Sequence, residues 1–165
     1  MEYIFNGQNC LLGIANGKEI SFHEANIVNF SISSDRICIA LRLSNYINNG
    51  LSSYFACLSF NDWKSCEFDY DDNFSKDDWF DDSILSILKD DTGFQIGMEF
   101  LWTIHITTDT PTLNIESVAD FSDNFPRFEM SEELVLETKS KNGDYANTDA
   151  DLPRLICSVS NRSTY

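Results

Sequence analysis

Between Glu67 and Asp91 the chain reads EFDYDDNFSKDDWFDDSILSILKDD, with ten carboxylates and five aromatic rings beside two lysines. Carboxylates at this density can do three kinds of chemistry. They can hold a calcium ion, act as an acid–base pair on a glycoside, or present an anionic surface to a basic partner.

The calcium reading fails on spacing. Counted from Asp69, the loop template meets Asp71 and Asn73, then finds Phe74 where glycine makes the sharp turn and Phe80 where a bidentate Glu should close the loop. Counted from Asp71, those two positions hold Lys76 and Asp82. Hydrolysis of a glycoside needs two carboxylates flanking a cleft, and among 27 acidic residues the sequence singles out no pair. There is no G-x-S-x-G, P-loop, G-x-G-x-x-G or H-E-x-x-H motif. The two histidines, His23 beside Glu24 and His105 on the polar side of a strand pattern, stand apart in the sequence and read as structural or solvent-facing, although a distant carboxylate could pair with either. The expectation is a protein that is not an enzyme, with no metal and no cofactor.

The anionic-surface reading gains weight from how the charge is distributed. The chain carries 11 basic and 27 acidic residues, a formal charge of −16. Residues 62–91 hold eleven acids and three bases, or 3 − 11 = −8, so half the excess lies in under a fifth of the chain. Charge kept only for solubility has no need to cluster. Such a surface repels phosphate backbones and anionic lipid, which argues against nucleic-acid and membrane partners and for a basic protein.

What must position these groups is mostly β-structure. Phe94, Ile96, Met98, Phe100, Trp102, Ile104 and Ile106 alternate with Gln95, Gly97, Glu99, Leu101, Thr103 and His105, which predicts one long strand with one buried face. "TDTPT" (Thr108–Thr112) should turn the chain into a partner strand that starts at Leu113 and Ile115. Ile37, Ile39, Leu41 and Leu43 alternate after a turn at Ser33–Asp35. "SYFACLSF" and "KSCEFDY" read as strands joined at Asn61–Trp63, and "ELVLETK" and "RLICSVS" as late strands.

One segment switches to helical period. Ser75 can cap it, with Asp78 as the reciprocal capping-box acid. Phe80, Ile84, Ile87 and Leu88 fall on one face at 100° per residue. Gly93 sits where a helix would stop. The spacing predicts a helix at about 76–91, with Trp79 near the margin of its buried face, flanked by Asp78 and Asp82. The fold expected is α+β but mainly β: one domain over residues 1–165, an antiparallel β-sandwich or strongly curved sheet with that helix packed on it.

Five cysteines with no C-x-x-C pair suit reduced, buried thiols at Cys38, Cys57 and Cys157. The N-terminal stretch MEYIFNGQNC has no basic, apolar leader pattern, and no apolar run approaches the ~20 residues that span a bilayer. A cytoplasmic location is expected.

In this character, small, very acidic, β-rich and without a catalytic motif, the chain resembles bacterial immunity proteins of contact-dependent growth inhibition and other polymorphic toxin–immunity systems. "FHEANIVNFSISSDRICIALRL" (Phe22–Leu43) is similar to the early strand pair of several small immunity-like families. The resemblance implies a stoichiometric inhibitor of one cognate toxin domain, often a nuclease with a basic groove. The residues expected to meet it are Asp69, Asp71, Asp72, Asp77, Asp78, Asp81 and Asp82 as a charged rim, Trp79 as anchor, and Tyr70 and Phe74 beside it. The alternatives are a cation- or carbohydrate-binding β-sandwich module and, behind that, an enzyme using paired carboxylates.

Overall fold

The computed structural model describes residues 4–6, 9–15, 18–44, 55–70, 82–100, 102–118, 127–130, 136–139 and 158–161. They form fourteen strands. These are β1 (Ile4–Asn6), β2 (Asn9–Ala15), β3 (Lys18–Ser21), β4 (Asn26–Ile32), β5 (Arg36–Arg42), β6 (Phe55–Asn61) and β7 (Trp63–Asp69), followed by β8 (Ile84–Lys89), β9 (Gly93–Met98), β10 (Thr103–Thr108), β11 (Leu113–Val118), β12 (Arg127–Met130), β13 (Leu136–Lys139) and β14 (Ser158–Asn161). The larger sheet runs β1-β2-β8-β9-β10-β7-β14-β13, with β3 on β2, and the smaller runs β11-β6-β5-β4-β12. Among the described strands every pairing is antiparallel except β12 with β4.

Alternation explains which faces meet. In β10, Ile104 and Ile106 are buried between half-buried Thr103, His105 and Thr107. In β5, Ile37, Ile39 and Leu41 are fully buried. The two inner faces share one core, and aromatic pairs cross it. The Phe30 and Phe68 rings lie 5.7 Å apart, and those of Phe60 and Phe94 5.1 Å apart in an edge-to-face arrangement. Such pairs contribute about 0.5–1.5 kcal/mol beyond the area they bury. Trp63 is buried with its Nε1 donating to the Ser33 carbonyl at 2.8 Å, which satisfies its one polar atom.

The chain changes sheet at short corners. Between β6 and β7 only Asp62 intervenes, in the left-handed region (φ 51°) that aspartate tolerates better than most residues. Its N–H donates to the Asp35 carbonyl at 3.1 Å. A second corner, after β10, sends β11 to pair with β6, so the expected partner strand lies in the opposite sheet from β10.

Two expectations are corrected. The alternating run from Phe94 to Ile106 is a hairpin, β9 and β10, with a turn at Glu99–Phe100. The buried phase survives the turn because Met98 and Trp102 sit opposite each other, the Met98 N–H donating to the Trp102 carbonyl at 3.0 Å. Only Phe100, at the tip, faces outward.

The expected helix at 76–91 is a strand over Ile84–Lys89; its earlier part, residues 76–81, lies outside the described residues. Ile84 pairs with Met98 and Ser86 with Gly97, so Leu85 is an extra residue bulged out of the ladder. A bulge lets Ile84 and Ile87 share the buried face although they are three apart. The helical spacing of Ile84 and Ile87 is the trace of that bulge. Leu88, expected inward, is 42% exposed.

The cysteine expectation also changes. Cys38 pairs across the ladder with Ser59, and Cys57 with Ala40, which makes the two cysteines diagonal neighbours on one face. Their Cα atoms are 5.9 Å apart and the structure joins them as a disulfide. Cys66 is a buried free thiol, its pKa pushed up by burial and then by the Glu67 charge next to it. Cys157 lies outside the described residues.

Candidate partner-binding surface

Sheet order decides where the acidic run can be. Asp69 ends β7 and pairs with Thr103, Thr103 pairs with Gly97, and Ile84 at the start of β8 pairs with Met98. The end of β7, the β9–β10 turn and the start of β8 therefore lie at one end of the larger sheet. Tyr70 and Asp82, the described residues on either side of 71–81, both lie at that end. The same end carries Glu99, exposed, and Phe100, whose surface is 58% exposed.

Asp69 is exposed at that end, and Tyr70 is half-buried against the core. Asp71, Asp72, Phe74, Asp77, Asp78, Trp79 and Asp81 lie outside the described residues. Asp82 corrects the expected rim. It has no exposed surface. Its Oδ1 accepts from the Ser83 N–H at 2.7 Å, and its Oδ2 accepts from the Phe100 N–H at 3.0 Å and from Trp102 Nε1 at 2.6 Å. A carboxylate with three donors and no solvent contact is a structural tie, not a rim charge.

That tie is reinforced from two sides. Ser83 Oγ donates to Glu99 Oε2 at 2.6 Å, and the Glu99 N–H donates to the Ser83 carbonyl at 2.9 Å. The Glu24 N–H donates to the Ile84 carbonyl at 2.9 Å, the Ile84 N–H to the Ala25 carbonyl at 3.0 Å, and Asn26 Nδ2 to the Asp82 carbonyl at 3.4 Å. The acidic run thus leaves a core-anchored strand end and returns to a fixed clamp. Burial raises the Asp82 pKa, the hydrogen bonds from Phe100, Ser83 and Trp102 oppose that shift, and nearby Glu99 adds to it.

Among the described residues no group of three or more His, Cys, Asp or Glu is arranged to hold a metal ion, and no helix is long and apolar enough to cross a membrane. His23 Nδ1 lies 3.8 Å from Glu24 Oε1, both well exposed. On the outer face of the larger sheet Glu67 pairs with His105, and His105 with Gln95, in one cross-strand row. Sequence reasoning did not assemble that row. Each member shows the polar phase of its strand, but only the β7–β10–β9 order brings them together.

No family model matches the chain, and neither a curated protein nor a solved structure does.

Proposed function

We propose that this chain is an immunity-type protein that binds a cognate toxin domain, a basic protein of the nuclease kind, and neutralises it by stoichiometric, electrostatically steered association. One observation carries the reading most. The described residues on either side of the segment holding the densest charge in the chain both lie at one end of the larger sheet, the end that carries an exposed Phe100 and Glu99. An aromatic ring within a carboxylate rim has the composition of an interface anchor, where a few aromatic residues carry most of the binding energy. The clamp at Asp82 supports the same reading, because it fixes the segment's exit without spending that charge at the surface. The contact surface on this reading comprises Asp69, Asp71, Asp72, Asp77, Asp78, Trp79, Asp81, Glu99 and Phe100. Asp82 is not in it.

An acidic surface of this kind can occupy a groove built for a phosphate backbone. Steering brings association rates toward ~10⁸–10⁹ M⁻¹s⁻¹ at low salt in strongly charged pairs. The test is co-purification with the product of the neighbouring reading frame, followed by association kinetics at rising ionic strength. Association should slow as salt rises, and Asp71→Asn, Asp72→Asn, Asp77→Asn and Asp78→Asn together should slow it further with little change in dissociation. An unchanged on-rate, or an acidic captured partner, would overturn the assignment.

A further inference from the structure

On the outer face of the larger sheet, between β7, β10, β9 and the β8–β9 turn, lies an open hollow of about 190 Å³. Its polar walls are Glu67, Asp90, Thr92, Gln95, His105 and Thr107. Pockets for drug-sized ligands run from ~300 Å³ upward, so this one suits a single side chain. On β9 the side chain that faces this hollow is Gln95, which lies between Gly93 and Gly97 on the same face of the strand.

The walls are polar: Asp90 and Thr92 are bonded to each other, and the charge of His105 acts on Asp90. The side chains of Glu67, Gln95 and His105 make no hydrogen bond or ion pair among the described residues, although they stand side by side in one row. Asp90 directs Oδ1 to the Thr92 N–H (2.7 Å), the Thr92 hydroxyl (2.6 Å) and the Gly93 N–H (3.0 Å), and these bonds fix the orientation of its second oxygen. Both charged walls are carboxylates, and no lysine or arginine lines the hollow. The nearby Lys64 is already paired, its Nζ 2.5 Å from Asp109. Leu88, half-exposed, pairs with Gln95 and extends the row with an apolar surface.

We infer that this hollow is a subsite for a guanidinium: it seats an arginine side chain of the basic partner. The inference rests on the reading of the chain as a binder of a basic protein, and it extends the contact surface from the end of the sheet onto its outer face. A planar fork of donors matches two carboxylates and a Gln carbonyl, where a compact ammonium would satisfy fewer acceptors. The aliphatic stem of an arginine can lie along Leu88 while its head enters the hollow.

The probe is N-acetyl-arginine methylamide, titrated into the full chain at physiological ionic strength and followed by ¹H–¹⁵N NMR, with N-acetyl-glutamine methylamide as the neutral control. Saturable shifts should centre on the Gln95 side-chain amide and the His105 ring, with none of comparable size for the control. Glu67→Gln and Asp90→Asn should each weaken the response roughly two- to fivefold, the scale of partly exposed ion pairs. Asp62→Asn, which removes one charge at the β6–β7 corner, should leave it unchanged. Shifts that do not saturate, that match the control, or that survive both hollow variants overturn the subsite. The functional reading is tested apart from this, by the salt dependence of partner capture. If capture persists and depends on Asp71, Asp72, Asp77 and Asp78 while the arginine probe finds no site, only the hollow is lost. If the probe binds and no basic partner is captured, only the functional reading is lost.

Discussion

Trp102 Nε1 donates a 2.6 Å hydrogen bond to the buried carboxylate of Asp82, twenty residues earlier in the chain. This bond ties the return of the acidic run to the first residues after the β9–β10 turn. The Phe100 N–H reaches the same oxygen, and the Ser83 N–H the other, so one side chain organises three backbone or ring donors, two of them, from Ser83 and Trp102, buried.

Asp82→Asn keeps the shape but offers one acceptor oxygen, so either Ser83 or the Phe100–Trp102 pair loses its partner. A loss of about 1–3 kcal/mol in urea unfolding is expected. The pH dependence has a definite sign. Burial raises the folded pKa of Asp82 above its unfolded value of about 3.9. Its contribution is therefore full below that unfolded value and is lost as pH rises through the folded one. The stability gap between wild type and Asp82→Asn should narrow as pH rises through that window.

Gly93 and Gly97 should respond differently to alanine. A Cβ at Gly93 would collide with the backbone carbonyl of Ile106, and the backbone there (φ 157°) is one that L side chains rarely adopt. A Cβ at Gly97 would meet the Ser86 hydroxyl at 2.5 Å, a side-chain atom that can be removed. Ser86→Ala should recover most of the stability lost in Gly97→Ala, whereas Gly93→Ala should remain destabilised by more than about 1 kcal/mol in any side-chain background.

The Asp90 pKa is lowered, first by the Thr92 hydroxyl, then by the Thr92 and Gly93 N–H groups. Its ionised form is favoured in the fold, so its contribution is present above the unfolded value of about 3.9 and lost as pH falls through the folded one. Thr92→Val removes the largest cause and keeps both N–H donors. Carboxyl ¹³C titration should then show Asp90 moving up toward the ordinary aspartate range.

Phe100→Ala separates binding from folding. The ring is mostly exposed, and its backbone N–H, which serves Asp82, is unaffected by the change. Unfolding stability should stay within about 0.5 kcal/mol of wild type. Affinity for a captured partner should fall by more than about 1 kcal/mol if the ring is an anchor. A stability loss with unchanged affinity would assign Phe100 to the fold.

The β-character of the chain was legible because alternation survives wherever one face is buried, as in Ile37–Ile39–Leu41 and Ile104–Ile106. The Glu99–Phe100 turn was hidden because the chain re-enters β10 with Trp102 opposite Met98, so polar and apolar residues keep their phase across the reversal. The bulge at Leu85 misled in the opposite direction, giving a strand the spacing of a helix. Asp82 could not be told from its neighbours in the acidic run, since its hydrogen-bond partners Phe100 and Trp102 stand two strands further along the sequence. Asp69 was legible as an exposed charge at the edge of the candidate surface.

The pairing of β14 with β7 has a consequence for biogenesis. Ser158 meets Glu67 and Ser160 meets Ser65, so one edge of β7 lacks this ladder until residue 161 has left the ribosome. During synthesis that edge is a template for pairing with other chains. Asp69 closes β7, and Asp71 and Asp72 come next in the sequence, so like charges leave the ribosome together with that edge. They discourage mispairing by mutual repulsion, a safeguard that operates before any partner is met.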